Sequence, residues 1–130
     1  MSGMVRRAAV AATLLLVAAA ASAQDRRQNQ PGQFDFYVLA LSWSPSFCEA
    51  SAEKGRAPRE QCGGRPYSFV VHGLWPQYER GWPEFCRVAG RPWVSNETIT
   101  RMLDIMPSKR LVIHEFKKHG VCSGLSPDAY

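Results

Sequence analysis

The sequence predicts an α+β domain, and three observations predict it. Two apolar runs of strand length come early, at residues 34–43 and 68–72. Two stretches with apolar residues at helical spacing come late, at residues 96–106 and 111–119. Polar segments punctuated by Gly and Pro separate them. With 130 residues the chain is long enough for one small domain.

The chain opens with Arg6 and Arg7, an Ala-, Val- and Leu-rich run over residues 8–21 broken only by Thr13, and Ala21-Ser22-Ala23. A positive start, an apolar run and an A-x-A site describe a secretory signal peptide over residues 1–23, with Gln24 as the new terminus. The apolar run is short for a membrane span, so no membrane partner is expected after cleavage. Loss of Arg6 and Arg7 lowers the formal charge from +5 to +3, a mild basicity that suits a polyanionic substrate without requiring one. Residues 24–33 are polar, contain Pro31 and Gly32, and are expected to form a disordered leader.

The run over residues 34–43 is apolar on both alternating sets, Phe36, Val38 and Ala40 on one and Tyr37, Leu39, Leu41 and Trp43 on the other. That pattern predicts a central strand buried on both faces and ended by Pro45. Residues 48–64 turn charged and contain Gly and Pro, as a loop does. A Cys48–Cys62 bridge would close it and constrain the unfolded chain by about 3 kcal/mol in the entropic model. The cysteines are Cys48, Cys62, Cys86 and Cys122, an even number in an exported chain, which predicts two disulfides with three connectivities open. No C-x-x-C pair occurs, which argues against a structural zinc site.

A short strand then delivers His72 at its end, where Gly73 lets the backbone turn. Residues 78–92 carry the breakers Gly81, Pro83, Gly90 and Pro92. Ile99, Met102, Leu103 and Met106 recur at i, i+3, i+4 and i+7, a helix capped by Ser95 or Asn96 and stopped by Pro107. The last helix is expected over residues 111–119, with Gly120 just beyond its end.

That last helix carries His114, Glu115, Lys118 and His119. The five-residue histidine spacing turns the two imidazoles by about 140° about the axis, against about 40° for the zinc motif H-E-x-x-H. His114 pairs instead with Lys118, and Glu115 with His119, as neighbouring rows of one polar face. Were Cys86 joined to Cys122, His72 would be drawn toward that face. Two imidazoles with pKa values near neutrality can divide acid and base work. Attack of an RNA 2′-hydroxyl on the adjacent phosphorus needs that division and no metal, and nearby cations would stabilise the transition state.

"HGLWPQ", from His72 to Gln77, and "HEFKKHGVC", from His114 to Cys122, closely resemble the two active-site segments of the ribonuclease T-two family, exported ribonucleases of the transferase type. "FYVLALSWSPSFC", from Phe36 to Cys48, resembles that family's first core strand. The resemblance implies a central antiparallel sheet flanked by helices, within a ribonuclease domain over residues 34–130 that is the N-terminal portion of the family fold, its C-terminal part missing. It implies His119 as general base, His72 as general acid, His114 on the phosphate, and Glu115 and Lys118 at the transition state. Trp75 falls where the family stacks a base, and Gln77 at a position that bears on base preference. The pairing implied is Cys86 with Cys122, leaving Cys48 with Cys62. Phe116 stands where Trp is usual, and Lys117 where many members carry Glu.

The expectation is therefore a secreted or periplasmic, monomeric endoribonuclease acting on single-stranded RNA through a 2′,3′-cyclic phosphate, with no cofactor and no metal. One rival is a zinc site built from His72, His114 and His119, which the spacing and the Lys118 charge oppose. The other is a disulfide-stapled, non-catalytic RNA-binding or inhibitory module. Asn96-Glu97-Thr98 is also a glycosylation sequon.

Overall fold

A computed structural model describes residues 27–130. The expected signal peptide lies outside the described residues. Strand β1 (Phe36–Trp43) runs directly into helix α1 (Ser44–Glu53), followed by the short helix α2 (Arg59–Cys62) and strand β2 (Phe69–Gln77). After an irregular stretch come α3 (Asn96–Met102), α4 (Lys109–Lys118) and a 3-10 turn over Gly120–Ser123. β1 and β2 pair antiparallel, from Phe36 opposite Gln77 to Trp43 opposite Phe69. The molecule is thus α+β with a two-stranded antiparallel sheet and helices packed beside it.

The core sits under the helices. Val94, Ile99, Met106, Val112, Phe116 and Val121 pack with Cys86 and Cys122 into one buried cluster. Ile99 and Met106 supply the apolar stripe of the α3 region, while Leu103 points outward at 36% exposed. Ser95 caps α3 by accepting from the Thr98 N–H, and Ser108 caps α4 by accepting from the Leu111 N–H, as short hydroxyl side chains do for otherwise unpaired first-turn donors. α3 ends at Met102, before Pro107, and the chain reaches α4 through turns. Gly120 does not take the left-handed position. Gly124 does, at φ 76°, one 3-10 turn later, and Gly120 is small because a Cβ there would collide with the Phe116 ring.

Three expectations change. β1 is not buried on both faces: Leu39 is 56% exposed and Trp43 49%. It has one strand neighbour among the described residues, and two-sided apolar alternation shows only that a strand suits burial, not what covers it. Residues 48–64 are not one loop, since α1 runs to Glu53 and α2 takes Arg59–Cys62 with a turn between them; Pro45 starts α1 in its first turn, where a missing N–H costs nothing, as well as ending the strand. Residues 27–33 are turns tied to the body rather than a free leader. Tyr78 donates its hydroxyl to the Arg27 carbonyl, Asn29 Oδ1 accepts from the Glu84 N–H, and the Gly32 N–H donates to the Cys122 carbonyl.

Both disulfides take the pairing that the resemblance implied. Cys48–Cys62 ties α1 to α2, and Cys86–Cys122 ties the irregular stretch to the 3-10 turn. No helix among the described residues is long and apolar enough to cross a membrane.

Candidate active site

β2 does not end at His72. Ala40 lies opposite Gly73 and Leu41 opposite Val71, so His72 is the extra residue of a β-bulge. Such a bulge frees one residue from the ladder and re-aims its side chain. Gly73 makes it possible with φ 145°, and a Cβ at Gly73 would come within 2.9 Å of the Tyr130 hydroxyl oxygen. That hydroxyl donates to the Leu74 carbonyl at 2.8 Å, and the Tyr130 ring packs on Phe116. Gly73→Ala is expected to cost about 1–3 kcal/mol in backbone strain alone, read as a lower thermal midpoint. An unchanged midpoint would show that the bulge does not depend on glycine.

The bulge points His72 at Glu115. Glu115 is 5% exposed, and a buried carboxylate needs partners to offset its lost hydration. Trp75 donates its indole N–H to Oε2 at 3.0 Å. His72 Nδ1 lies 3.2 Å from Oε1, and His119 Nε2 lies 3.9 Å from Oε2. Acceptance by the carboxylate sets Nδ1 of His72 as the donating nitrogen. Its Nε2 then stands 3.2 Å from the Ser42 hydroxyl.

His119 closes α4 as its C-cap residue, 3% exposed. Its ring stacks on Trp75 with centroids 4.4 Å apart and planes 18° apart. Its Nδ1 has no hydrogen-bond partner among the described residues. Burial pushes the His119 pKa below the ordinary 6.5; the Glu115 carboxylate opposes that shift, Lys118 adds to it, Glu84 opposes it and His114 adds to it. A histidine held neutral when folded takes up its proton more readily in the unfolded chain. Its contribution to stability is therefore complete above about pH 6.5 and is lost as pH falls below that value toward the folded pKa. Urea unfolding at a series of pH values should show stability falling over this window, with a shallower fall in His119→Gln. Parallel pH dependences would remove His119 as the cause.

The polar face expected on α4 is thus divided. Glu115 and His119 turn inward, His114 is exposed, and Lys118 reaches Glu84, with Nζ 3.6 Å from Oε2. Trp75, expected as a platform for a base, has one face already covered by His119. Two cavities open on either side. One of about 460 Å³ is lined by Ser42, Gln61, His72, Arg110 and His114. The other, of about 360 Å³, is lined by Val38, Trp75, Gln77, Trp82, Lys118 and His119. The three histidines do not converge on one point, and no group of three or more potential metal ligands occurs among the described residues.

Ser42, Trp82, Glu84 and Arg110 were not expected at the site. Ser42 left a signal, as the single polar residue of β1. Trp82, Glu84 and Arg110 sit in segments whose pattern says nothing of what they approach.

Residues 34–130 match the Ribonuclease T2 family. The chain belongs to that family. A ribonuclease of Aeromonas hydrophila is 45% identical over 100 residues, covering 76% of this chain and 42% of the relative. Ribonuclease I of Escherichia coli is 32% identical over 167 residues, covering all of this chain and 62% of the relative. Among solved structures, RNase NT in complex with 5′-AMP superposes with a TM-score of 0.56 at 31% identity, over 75% of this chain and 52% of that one. The chain thus spans about half the length of these Ribonuclease T2 relatives.

Proposed function

We propose that this chain carries the catalytic residues of an endoribonuclease that cleaves single-stranded RNA by attack of the 2′-hydroxyl on the neighbouring phosphorus, leaving a 2′,3′-cyclic phosphate. The observation that carries this reading is the one carboxylate, Glu115, that gathers His72 from the bulge of β2 and His119 from the end of α4. In-line displacement needs a base and an acid on opposite sides of the phosphorus, and the two imidazoles line different cavities.

His119 takes the proton of the 2′-hydroxyl in the cavity of Trp75 and Trp82. Its lowered pKa keeps it neutral, and so able to accept, into mildly acidic solution. His72 gives a proton to the 5′-oxygen from the Ser42 side. His114 and Lys118 bring positive charge to the phosphate, where charge develops in the transition state. Trp75 stacks a base on the face that His119 leaves free, and also fixes Glu115 through its indole N–H. No step calls for a metal ion. Two disulfides and the apolar N-terminal run fit an exported, monomeric protein in the periplasm or outside the cell.

The test is to incubate the oxidised chain with single-stranded RNA in EDTA and identify the products by mass. Termini carrying 2′,3′-cyclic phosphate are expected. No cleavage by folded protein, with or without added zinc, would reject the reading for this chain in favour of a non-catalytic RNA-binding module. Cleavage that depends on zinc would reject the two-histidine mechanism.

A further inference from the structure

Lys109, Ile113 and Lys117 lie on one row of α4, four residues apart, which is the spacing of side chains on one helix face. This row is turned about 100° around the helix from the row of His114 and Lys118. It forms one wall of a groove of about 310 Å³, whose other wall is Arg91 and Trp93 ahead of α3. Trp93 is 69% exposed, the most exposed large apolar side chain among the described residues. Lys109 donates to Asn96 Oδ1 at 3.1 Å, which fixes its ammonium at the groove. No carboxylate lines the groove among the described residues.

Three cations around an exposed indole, with no acid among them, match a single-stranded nucleic acid. Its phosphates meet the lysines and the arginine, and a base stacks on the aromatic face. A hydrophobic protein segment would leave the charges unmatched, and a folded duplex would hide its base faces from the indole. We infer that this groove is an accessory site for single-stranded RNA, which holds the strand a few nucleotides away from the cleaved bond. The choice of RNA as the polyanion rests on the ribonuclease reading; the groove's chemistry does not. A strand on the phosphate-facing row of α4 reaches Lys117 by passing around the helix, so the site acts only on substrates longer than a dinucleotide.

The test compares the whole oxidised chain with Trp93→Ala and Lys117→Ala. Fluorescence anisotropy would follow binding of a labelled, non-cleavable 2′-O-methyl RNA of about twelve nucleotides and of a dinucleotide over a range of salt. Trp93→Ala is expected to weaken binding of the long strand about tenfold, the size of one lost base stack. Lys117→Ala should reduce the slope of log affinity against log salt by about 0.7. Dinucleotide binding and dinucleotide cleavage should not change in either variant. Thermal midpoints confirm that these surface changes leave the fold intact. If both variants bind the long strand like the parent, or weaken the dinucleotide equally, the inference is wrong. An effect of Lys117→Ala without one of Trp93→Ala would reduce the groove to a charged patch and also overturn it. A parent chain that binds the long strand through Trp93 and cleaves nothing would refute the proposed ribonuclease activity and leave the accessory site standing.

Discussion

His119→Gln is expected to lower RNA cleavage about a thousandfold, the usual scale for removing one proton-transfer group, while the protein stays folded. Glutamine fills a similar volume beside Trp75 and Glu115, so it tests proton transfer more cleanly than alanine, which would leave a hole at a position 3% exposed. The pH profile carries more information than the rate. In the parent, the acid limb of kcat/KM should lie below about pH 6.5, because burial holds His119 neutral there. Loss of the base should erase that limb. His72→Ala should lower cleavage on a similar scale, and it should also release Glu115 from one of its partners. An acid limb that survives His119→Gln would mean that His119 is not the titrating group.

His72 shows what the sequence allowed and what it hid. An imidazole after an apolar strand, followed by glycine, marks a special position in the sequence, and Gly73 serves there through its backbone freedom. The pattern could not separate a strand that ends from a strand that bulges, because both need a glycine free of Cβ sterics. The distinction lies in the register with β1, which is a long-range property. The two histidine segments were legible as one site. Their meeting at Glu115 was not, since helix periodicity gives rows on a face and not which row turns inward. Glu115 and His119 lie on the inward row beside Val112 and Phe116, and burial of those two apolar residues in the core takes the carboxylate and the imidazole with them. α1 leaves no helical signal in the sequence because its stretch of ten residues has no continuous apolar stripe, and its disulfide to α2 holds it in place of a packed face. The irregular stretch between β2 and α3 that carries Trp82, Glu84 and Trp93 is anchored through the Phe85 N–H on the Lys118 carbonyl and the Cys86–Cys122 bridge, long-range contacts that no local period records.

That anchoring makes the Cys86–Cys122 bridge the second large lever. Replacing both of its cysteines with serine is expected to unfold the site, whereas replacing Cys48 and Cys62 should weaken the protein and spare the site. In the entropic model, closing 36 residues constrains the unfolded chain by about 4 kcal/mol and closing 14 residues by about 3 kcal/mol. Either figure is large against a total of about 5–15 kcal/mol for an ordinary domain, so loop length alone does not distinguish the two. Position does. Cys122 is fully buried in the core cluster, the Phe85 N–H donates to the Lys118 carbonyl, and the Cys122 N–H donates to the His119 carbonyl. The bridge therefore fixes the end of α4, where Lys118 and His119 sit. Serine hydroxyls at those two positions would also be buried in an apolar cluster. Cys48–Cys62 joins α1 to α2, neither of which carries His72, Glu115 or His119. Thermal unfolding paired with cleavage per folded molecule separates the cases. The Cys48/Cys62 variant should melt earlier yet cleave at the parental rate below its midpoint, and the Cys86/Cys122 variant should show no cooperative transition. Equal loss of cleavage in both would mean that the two bridges act through overall stability, and that the end of α4 is not held by Cys122 in particular.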